Sequence, residues 1–433
     1  MTKLKKINIV TLGCSKNLVD SEVLMKQLSN SGFEVVHDAN SNDAGTVIIN
    51  TCGFIGDAKE ESINMILEFV EMKKKGGISQ LYVMGCLSER YKNDLATEIP
   101  EVDQFFGKFE MDRILESLQS KIDKQLLVQR EITTPKHYAY LKISEGCDRT
   151  CSFCIIPQIT GKHQSKSIEQ IVEEATLLVE QGVKELILIA QDLSYYGIDL
   201  YKKRSLDILL DKISDIKGVE WIRLHYLYPA NFPFEILPVM KQKSNICNYL
   251  DIAFQHISDN MLSKMRRNIT KQATYELINN IRTELPDICL RTSLLVGHPG
   301  ETEQDFEELK QFVSDIQFER MGVFSYSHEE DTYSYRNYED DISEEIKQAR
   351  HNELMELQQT ISLSKNIEKI GKHFNVIIDR KEGIYYVGRT EFDSPEVDNE
   401  ILIEHLHLKL GEFYLVEVVS AGEFDLYCKI IVK

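Results

Sequence analysis

The chain has 433 residues, a length that exceeds one ordinary domain and predicts two or three. Hydrophobic residues make up 42% of it, which is enough for buried cores, and no apolar run is long enough to span a membrane. The net charge of −19 argues against general nucleic-acid binding, because phosphate contacts depend on lysine and arginine. The first residues, Met1 to Lys6, lack the apolar stretch of a signal peptide, so we expect a cytoplasmic protein whose nine cysteines are reduced.

Residues 1–130 alternate buried strands with helical patterns. Three apolar runs predict strands over residues 7–13, 46–50 and 80–84, and helical patterns predict helices over residues 20–30 and 57–75. Strands that alternate with helices form a parallel sheet. We therefore predict a Rossmann-like parallel α/β domain in this part of the chain.

Each of these three strands ends in a cysteine with a glycine beside it. The cysteines are Cys14, Cys52 and Cys86. In an open α/β sheet the carboxyl ends of the strands lie along one edge, so the three side chains are expected to meet there. One strand-end cysteine would be an ordinary packing residue. Three at equivalent positions favour a metal site that has one coordination position open.

The middle of the chain, residues 132–366, contains six apolar strand candidates, most of them separated by helical patterns. They cover residues 140–144, 185–190, 221–226, 249–254, 290–296 and 321–326. Repeated βα units of this kind predict a partial (β/α)6 TIM-like barrel with its chemistry at the carboxyl ends of the strands. The clearest helix begins after Ser167, has Gln170 at the capping-box position and stops at Gly182. A long charged helix runs from Ser343 to about residue 370.

Three cysteines with the spacing CxxxCxxC follow the first of these strands. They are Cys147, Cys151 and Cys154. Three thiolates hold a cubane of four irons but leave one iron without a protein ligand, where a small chelating cofactor can bind. Structural zinc is the alternative, but zinc sites of that kind use four ligands, often as two CxxC pairs, and no second pair follows here. The spacing favours an iron–sulfur cluster that takes part in chemistry.

The last segment, residues 367–433, contains short strands without helices between them. The strands are predicted over residues 374–379, 385–389, 401–404, 414–420 and 425–432. This pattern predicts a small antiparallel β-barrel of OB-like size. Such barrels often bind nucleic acid through a basic face, but residues 366–433 contain 13 acidic and 8 basic residues. An acidic barrel is better suited to a basic partner.

The whole chain resembles the methylthiotransferases of the radical S-adenosylmethionine (SAM) superfamily. Three segments that follow strands carry the superfamily match: CDRTCSFC (residues 147–154), IAQDLSYYG (residues 189–197) and LLVGHPGET (residues 294–302). The three strand-end cysteines match that family's extra cluster-binding domain, and the terminal barrel is similar to a TRAM domain. The resemblance divides the chain into a methylthiotransferase domain (residues 1–130), a radical SAM domain (residues 132–366) and a TRAM domain (residues 367–433).

Within the family, several segments are most similar to the branch that modifies an aspartate of a ribosomal protein. These segments are residues 224–230, 251–258, 265–267 and 388–398. The last segment is the most telling, because it places acidic residues on what would be the partner-facing domain.

The resemblance implies two [4Fe–4S] clusters and SAM as cofactors. The cluster on Cys147, Cys151 and Cys154 is expected to bind SAM and to cleave it with one electron, which yields a radical that removes hydrogen from carbon. The cluster on the strand-end cysteines is expected to hold and deliver sulfur.

Contacts to SAM are implied for four residues, and no catalytic side chain is assigned beyond the cluster ligands. The four residues are Phe153, Gln191, Arg291 and Gly297. For Arg291, a structural ion pair is the alternative role.

The resemblance implies that a methylthio group is added to the β-carbon of one aspartate of protein twelve of the small ribosomal subunit. Its implied partners are that protein, free or within the subunit, and an electron donor such as flavodoxin or ferredoxin. No membrane partner is expected, and nucleic-acid binding is not expected as the main role. Three alternatives stay open: the same reaction on adenosine of tRNA, a non-catalytic iron–sulfur carrier, and a ribosome-binding assembly factor with structural clusters.

Overall fold

The computed structural model describes residues 5–39 and 44–431. These residues divide into two compact units. The first contains the described residues up to Thr134 together with Tyr140–Arg149 and Ile155–Leu178, and the second contains Pro135–Ala139, Thr150–Cys154 and the described residues from Val179 onward. Among the described residues we find no helix with the length and hydropathy that a membrane span requires.

The first unit is built on five strands and four helices near the start of the chain. The strands are β1 (Lys6–Thr11), β2 (Glu34–His37), β3 (Thr46–Thr51), β4 (Gln80–Gly85) and β5 (Gln104–Phe105), and the helices are α1 (Ser15–Asn30), α2 (Gly56–Lys74), α3 (Cys86–Glu98) and α4 (Met111–Ser117). The strands form one parallel sheet in the order β2-β1-β3-β4-β5. The three predicted strands and both predicted helices are confirmed. The short edge strands β2 and β5 were not predicted, because neither shows a clear apolar period.

Successive residues of the central strands pack against helices on opposite faces of this sheet. Ile9 and Ile48 share one apolar cluster with Leu24 of α1, whereas Ile49 packs on the other face with Ile66 of α2. Burial on both faces explains why these strands read as continuous apolar runs. The carboxyl ends of β1, β3 and β4 therefore lie next to each other along one edge.

Strand β6 (Tyr138–Lys142) has residues in both units, and short elements follow it. They are β7 (Ser144–Glu145), α5 (Ile156–Thr160), β8 (Gln164–Ser165) and α6 (Ile168–Glu180), and β7 pairs with β8 in antiparallel fashion. The predicted capping box at the start of α6 is confirmed. The Gln170 backbone N–H donates to Ser167 Oγ at 3.2 Å, and the Ser167 backbone N–H donates to Gln170 Oε1 at 3.1 Å.

The second unit contains an open six-stranded sheet. Its further strands are β9 (Glu185–Ile189), β10 (Trp221–Leu227), β11 (Ile246–Ile252), β12 (Cys289–Val296) and β13 (Arg320–Ser325), in the order β13-β12-β11-β10-β9-β6. The pairings from β9 to β13 are parallel. The helices of this part are α7 (Ile198–Tyr201), α8 (Leu206–Ser214), α9 (Ile236–Gln242), α10 (Asp259–Lys264), α11 (Lys271–Glu284), α12 (Glu303–Ile316), α13 (Tyr333–Asn337) and α14 (Glu344–Ile367). All six predicted strands and the partial barrel are confirmed.

The chain ends in a closed five-stranded barrel in the order β14-β15-β16-β18-β17. Its strands are β14 (His373–Glu382), β15 (Tyr385–Arg389), β16 (Glu400–Glu404), β17 (Phe413–Ala421) and β18 (Asp425–Ile430). The predicted barrel is confirmed, although residue 432 of its last predicted strand lies outside the described residues. One detail is corrected: β16 and β18 pair in parallel, so the barrel is not wholly antiparallel.

The segment between β15 and β16 packs against the open sheet through several of its acidic residues. Asp393 pairs with Arg320 of β13, and Asp398 lies 3.3 Å from Arg291 of β12. Glu391 accepts hydrogen bonds from the backbone and side-chain nitrogens of Asn248 at 3.0 and 3.2 Å. Asp393 and Asp398 neutralise Arg320 and Arg291, and Glu391 is bound by Asn248, so these three carboxylates are structural residues.

Candidate functional site

The three strand-end cysteines lie side by side at the carboxyl edge of the first sheet. Cys14 precedes α1, Cys52 follows β3 and Cys86 is the first residue of α3. Burial raises the pKa of the Cys86 thiol to about 12, Lys108 opposes that shift, and the Cys14 and Cys52 sulfurs add to it. The structure thus brings together three cysteines that are separated by more than thirty residues in sequence.

The glycines beside these cysteines allow the strand ends to approach closely. A Cβ placed on Gly13, whose φ is +89°, would lie 2.6 Å from Cys52 Cβ. A Cβ on Gly53 would lie 2.7 Å from the Leu87 backbone, and a Cβ on Gly85 would lie 2.5 Å from Asn50 Oδ1. Because glycine has no side chain, the space at this sheet edge stays free for the cysteine sulfurs and for a group that they bind.

We predict that Gly13→Ala lowers the iron bound at this edge, because the added Cβ must displace Cys52. After anaerobic reconstitution with iron and sulfide, iron per chain should fall from about eight atoms towards about four, the content of one remaining cubane. The matched control is Gly32→Ala. Gly32 also has a left-handed φ, +84°, but no heavy atom lies within 4 Å of its added Cβ. Equal iron in the two variants would contradict a role of close approach at Gly13.

Two residues at this edge, Asn17 and Lys108, were not predicted from the sequence. Asn17 Nδ2 donates to Leu12 O and Thr51 O, both at 3.1 Å, and Asn17 Oδ1 accepts from Cys86 Sγ at 3.7 Å. Lys108 is buried, and its Nζ lies 2.8 Å from Asp20. Asn17 stands three residues after Cys14 at the start of the same helix, a signal that was available in the sequence. Lys108 gave no such signal.

The CxxxCxxC segment is held by backbone hydrogen bonds on both sides of its first cysteine. The Cys147 N–H donates to Gly161 O at 3.1 Å, and the Arg149 N–H approaches Cys147 Sγ at 3.4 Å. Gly146 has a φ of +77°, and a Cβ there would lie 2.1 Å from Lys162 O. Only glycine fits that position without moving the backbone.

In the second unit, Cys151 and Cys154 belong to a tight turn that is fixed by surrounding residues. The Cys154 N–H donates to Cys151 O at 3.2 Å, and the Ser152 N–H donates to Met265 O at 3.0 Å. Ser152 Oγ also lies 3.1 Å from His298 Nε2. These contacts fix the direction in which the two thiols leave the turn.

Among the described residues, no group of three or more His, Cys, Asp or Glu side chains has the spacing to hold a single metal ion. Four ligands at about 2.3 Å from one zinc ion would draw the sulfurs to within about 4 Å of each other. A cubane is larger and needs its sulfur ligands farther apart. Each of the two sets of cysteines offers three thiols, a number that suits a cubane with one open iron.

Three of the four residues predicted to contact SAM lie in the second unit after β9, after β12 and within the CxxxCxxC segment. Gln191 follows β9, and Gly297 follows β12 with its N–H donating to Glu301 Oε2 at 2.5 Å. Phe153 packs against a cluster that includes Met265, and its ring centroid lies 6.5 Å from that of His298.

Arg291 lies elsewhere. It is the third residue of β12, near the amino end of the strand, and its guanidinium lies 3.0 Å from Asp251 and 3.3 Å from Asp398. The structural ion pair, the alternative for this residue, therefore fits its position better than a contact to SAM.

One residue in polar contact with a cysteine of the CxxxCxxC segment was not predicted from the sequence. Arg267 follows α10, and its Nη1 lies 3.1 Å from Cys151 Sγ. Its guanidinium lies over the ring of Tyr228, 4.1 Å from the centroid. This contact places a buried positive charge beside the sulfur of Cys151.

Family models match three parts of the chain. They are described as the uncharacterized protein family UPF0004 over residues 6–107, the radical SAM superfamily over residues 141–313 and the TRAM domain over residues 370–431. The ribosomal protein uS12 methylthiotransferase RimO of Bacteroides thetaiotaomicron is 60% identical over 433 residues, which cover 100% of this chain and 99% of that protein. The chain belongs to the RimO family. The RimO protein of Phocaeicola vulgatus is 59% identical over 99% of this chain and 100% of its own length.

Membership of the RimO family confirms the resemblance and makes the chain a radical SAM methylthiotransferase, an enzyme that transfers alkylthio groups. This finding decides against the carrier and the assembly factor as alternatives. The structure of the radical SAM methyltransferase TsrM from Kitasatospora setae, with cobalamin and a [4Fe–4S] cluster bound, is also similar. It has 14% identity and a TM-score of 0.53 and covers 74% of this chain and 75% of that one, a likeness of fold alone.

Proposed function

We propose that this RimO-family enzyme adds a methylthio group to the β-carbon of one aspartate of ribosomal protein uS12. The proposal rests on the 60% identity to a uS12 methylthiotransferase along the entire chain. The similarity therefore includes the N-terminal region and the terminal barrel as well as the radical SAM region. In this proposal, residues 1–130 form the methylthiotransferase domain, residues 132–366 the radical SAM domain and residues 367–433 the TRAM domain.

The proposal assigns two [4Fe–4S] clusters and SAM to the chain. Cys147, Cys151 and Cys154 hold one cluster, and the three strand-end cysteines hold the other. When bound, these groups supply reductive cleavage of SAM, abstraction of hydrogen from carbon and delivery of sulfur.

The chain's own residues position these groups and shield them. Phe153, Gln191 and Gly297 provide contacts to SAM, and the buried residues around Phe153 exclude water from that region. At the strand-end site, Asn17 ties the ends of β1 and β3 together and thereby fixes the spacing of Cys14 and Cys52.

The proposed partners are uS12, free or within the small subunit, and an electron donor such as flavodoxin or ferredoxin. We place the enzyme in the cytoplasm, because six reduced cysteine ligands need a reducing compartment. Residues 366–433 contain 13 acidic and 8 basic residues, and without the structural Glu391, Asp393 and Asp398 the basic residues still do not outnumber the acidic ones, which does not favour tRNA as the partner.

The test offers small ribosomal subunits and tRNA in separate pools to the reconstituted enzyme with SAM, sulfide and a reductant, all under anaerobic conditions. We expect a methylthio group on an aspartate of uS12 by mass spectrometry and no modified adenosine. A uS12 variant in which that aspartate is replaced by asparagine is the matched substrate control and should stay unmodified. Modified adenosine with unmodified uS12 would overturn the proposal.

A further inference from the structure

Arg267 differs from the other buried arginines of the described chain in its charge partner. The buried arginines are Arg130, Arg223, Arg267, Arg320, Arg350 and Arg389. Each of the five others has a carboxylate oxygen within 3.1 Å. Arg267 forms no ion pair with a carboxylate anywhere in the described residues, although its exposed fraction is 3%.

A buried cation without a counter-ion is strongly destabilising, so an anion is expected beside Arg267. No carboxylate lies within ion-pair distance of it, and Asp192 acts on it only from farther away. Nη2 donates to the carbonyl oxygen of Ala253, the ring of Tyr228 lies under the guanidinium, and Nε has no partner among the described residues. The remaining contact is Nη1 to Cys151 Sγ at 3.1 Å. The sulfur of Cys151 is therefore the group that the geometry places beside this charge.

The position of Arg267 is fixed. Tyr228 Oη donates to the backbone carbonyl of Arg267 at 2.8 Å, and the Arg267 N–H donates to Leu262 O at 2.9 Å. The backbone of Arg267 is thus fixed at both its carbonyl and its N–H. Rotation of the guanidinium away from Cys151 would also lose its contact with the Tyr228 ring.

We propose that Arg267 is the counter-ion and hydrogen-bond donor of the cluster held by Cys151, and that it raises the reduction potential of that cluster. This inference rests on the proposed function, which places a cluster on this cysteine. Reduction adds one negative charge to the cluster, and a neighbouring buried cation with an N–H···S bond stabilises the reduced form more than the oxidised form. Arg267 is a positioning residue in this role, because it acts through the sulfur ligand.

The test is a redox titration of the reconstituted full-length protein, followed by electron paramagnetic resonance. In Arg267→Gln, the ratio of reduced to oxidised cluster at a fixed solution potential should fall at least tenfold for one of the two clusters. For a one-electron couple, tenfold corresponds to about 59 mV. The other cluster should keep its potential and thus serves as an internal reference. Arg267→Lys, which keeps the charge but loses the planar donor, should give a smaller shift of the same sign.

The matched control is Arg266→Gln. Arg266 is exposed, lies over the ring of Tyr333 and makes no contact with a cysteine sulfur, so removal of this neighbouring charge should leave both potentials unchanged. Unchanged potentials in Arg267→Gln, with iron content equal to the wild type, would overturn the inference. If Arg267→Gln binds less iron than the wild type, Arg267→Lys provides the test instead. A wild-type reduction potential in Arg267→Lys would then overturn the inference. A wild-type chain that binds no reducible cluster would overturn the proposed function itself, which separates the two failures.

Discussion

Cys52→Ala is expected to abolish methylthio transfer while SAM cleavage continues, whereas Cys151→Ala is expected to abolish both. The difference arises because the proposed function places the two cysteines in different ligand sets, one at the strand edge of the first sheet and one in the CxxxCxxC segment. Loss of a thiolate from a set of three leaves too few ligands to hold a cubane. Each lost activity should fall by at least about 10³-fold, since the members of such a set act as a unit.

The measurements are 5′-deoxyadenosine released per chain, methylthio product by mass spectrometry and iron per chain. Cys428→Ala is the matched control, because Cys428 is a buried cysteine within the apolar core of the terminal barrel. Burial raises the pKa of its thiol to about 12, and its replacement should leave all three measurements unchanged. Methylthio product from Cys52→Ala at the wild-type rate would show that sulfur does not come from the strand-edge site.

The strands and both cysteine sets could be predicted from the sequence because their signals are local. Apolar runs such as Thr46–Thr51 are buried on both faces, and a cysteine beside a glycine at the end of each run marks the sheet edge. The carboxyl ends of parallel strands always share one edge, so three distant cysteines could be placed together without a structure. The spacing of Cys147, Cys151 and Cys154 is likewise a local pattern.

The residues that the sequence did not indicate act over long separations in the chain. Arg267 approaches Cys151 across 116 residues, and Lys108 approaches Asp20 across 88. No periodicity reports such contacts, because they depend on how loops are arranged at a sheet edge. The same holds for the acidic segment before β16, in which Asp393 is 1% exposed and pairs with Arg320.

We expect a large loss of stability in Glu185→Gln, because Glu185 lies at the contact between the open sheet and the terminal barrel. Glu185, at the start of β9, is fully buried between Arg223 of β10 and Arg389 of β15, each 2.8 Å away. The amide of glutamine leaves one excess positive charge in this buried site. Removal of one partner from a buried ion pair is destabilising by about 3–5 kcal/mol.

The sign of the pH dependence follows from the same arginines. Burial alone would raise the pKa of Glu185, but Arg389 and Arg223 outweigh burial and hold the pKa below its ordinary value of 4.5. The stabilisation by ionised Glu185 is therefore fully present above about pH 4.5 and is lost as the pH falls through the lowered pKa. The stability difference between wild type and Glu185→Gln should stay constant from pH 8 to about pH 5 and shrink in more acidic buffer.

The chain contains a built-in probe for this experiment, since Trp221 is its one tryptophan. Trp221 begins β10, and its ring centroid lies 4.8 Å from that of Phe413 in the barrel, so its fluorescence reports on the contact between sheet and barrel. Urea unfolding followed by this signal should show a much lower midpoint in Glu185→Gln. Glu412→Gln is the matched control, because Glu412 also links barrel to sheet, through Lys184 at 2.9 Å, but is half exposed. Loss of the Glu412 carboxylate should change the free energy of unfolding by less than about 1 kcal/mol. Equal urea midpoints for the two variants would show that the buried ion pairs of Glu185 with Arg223 and Arg389 do not hold the barrel on the sheet.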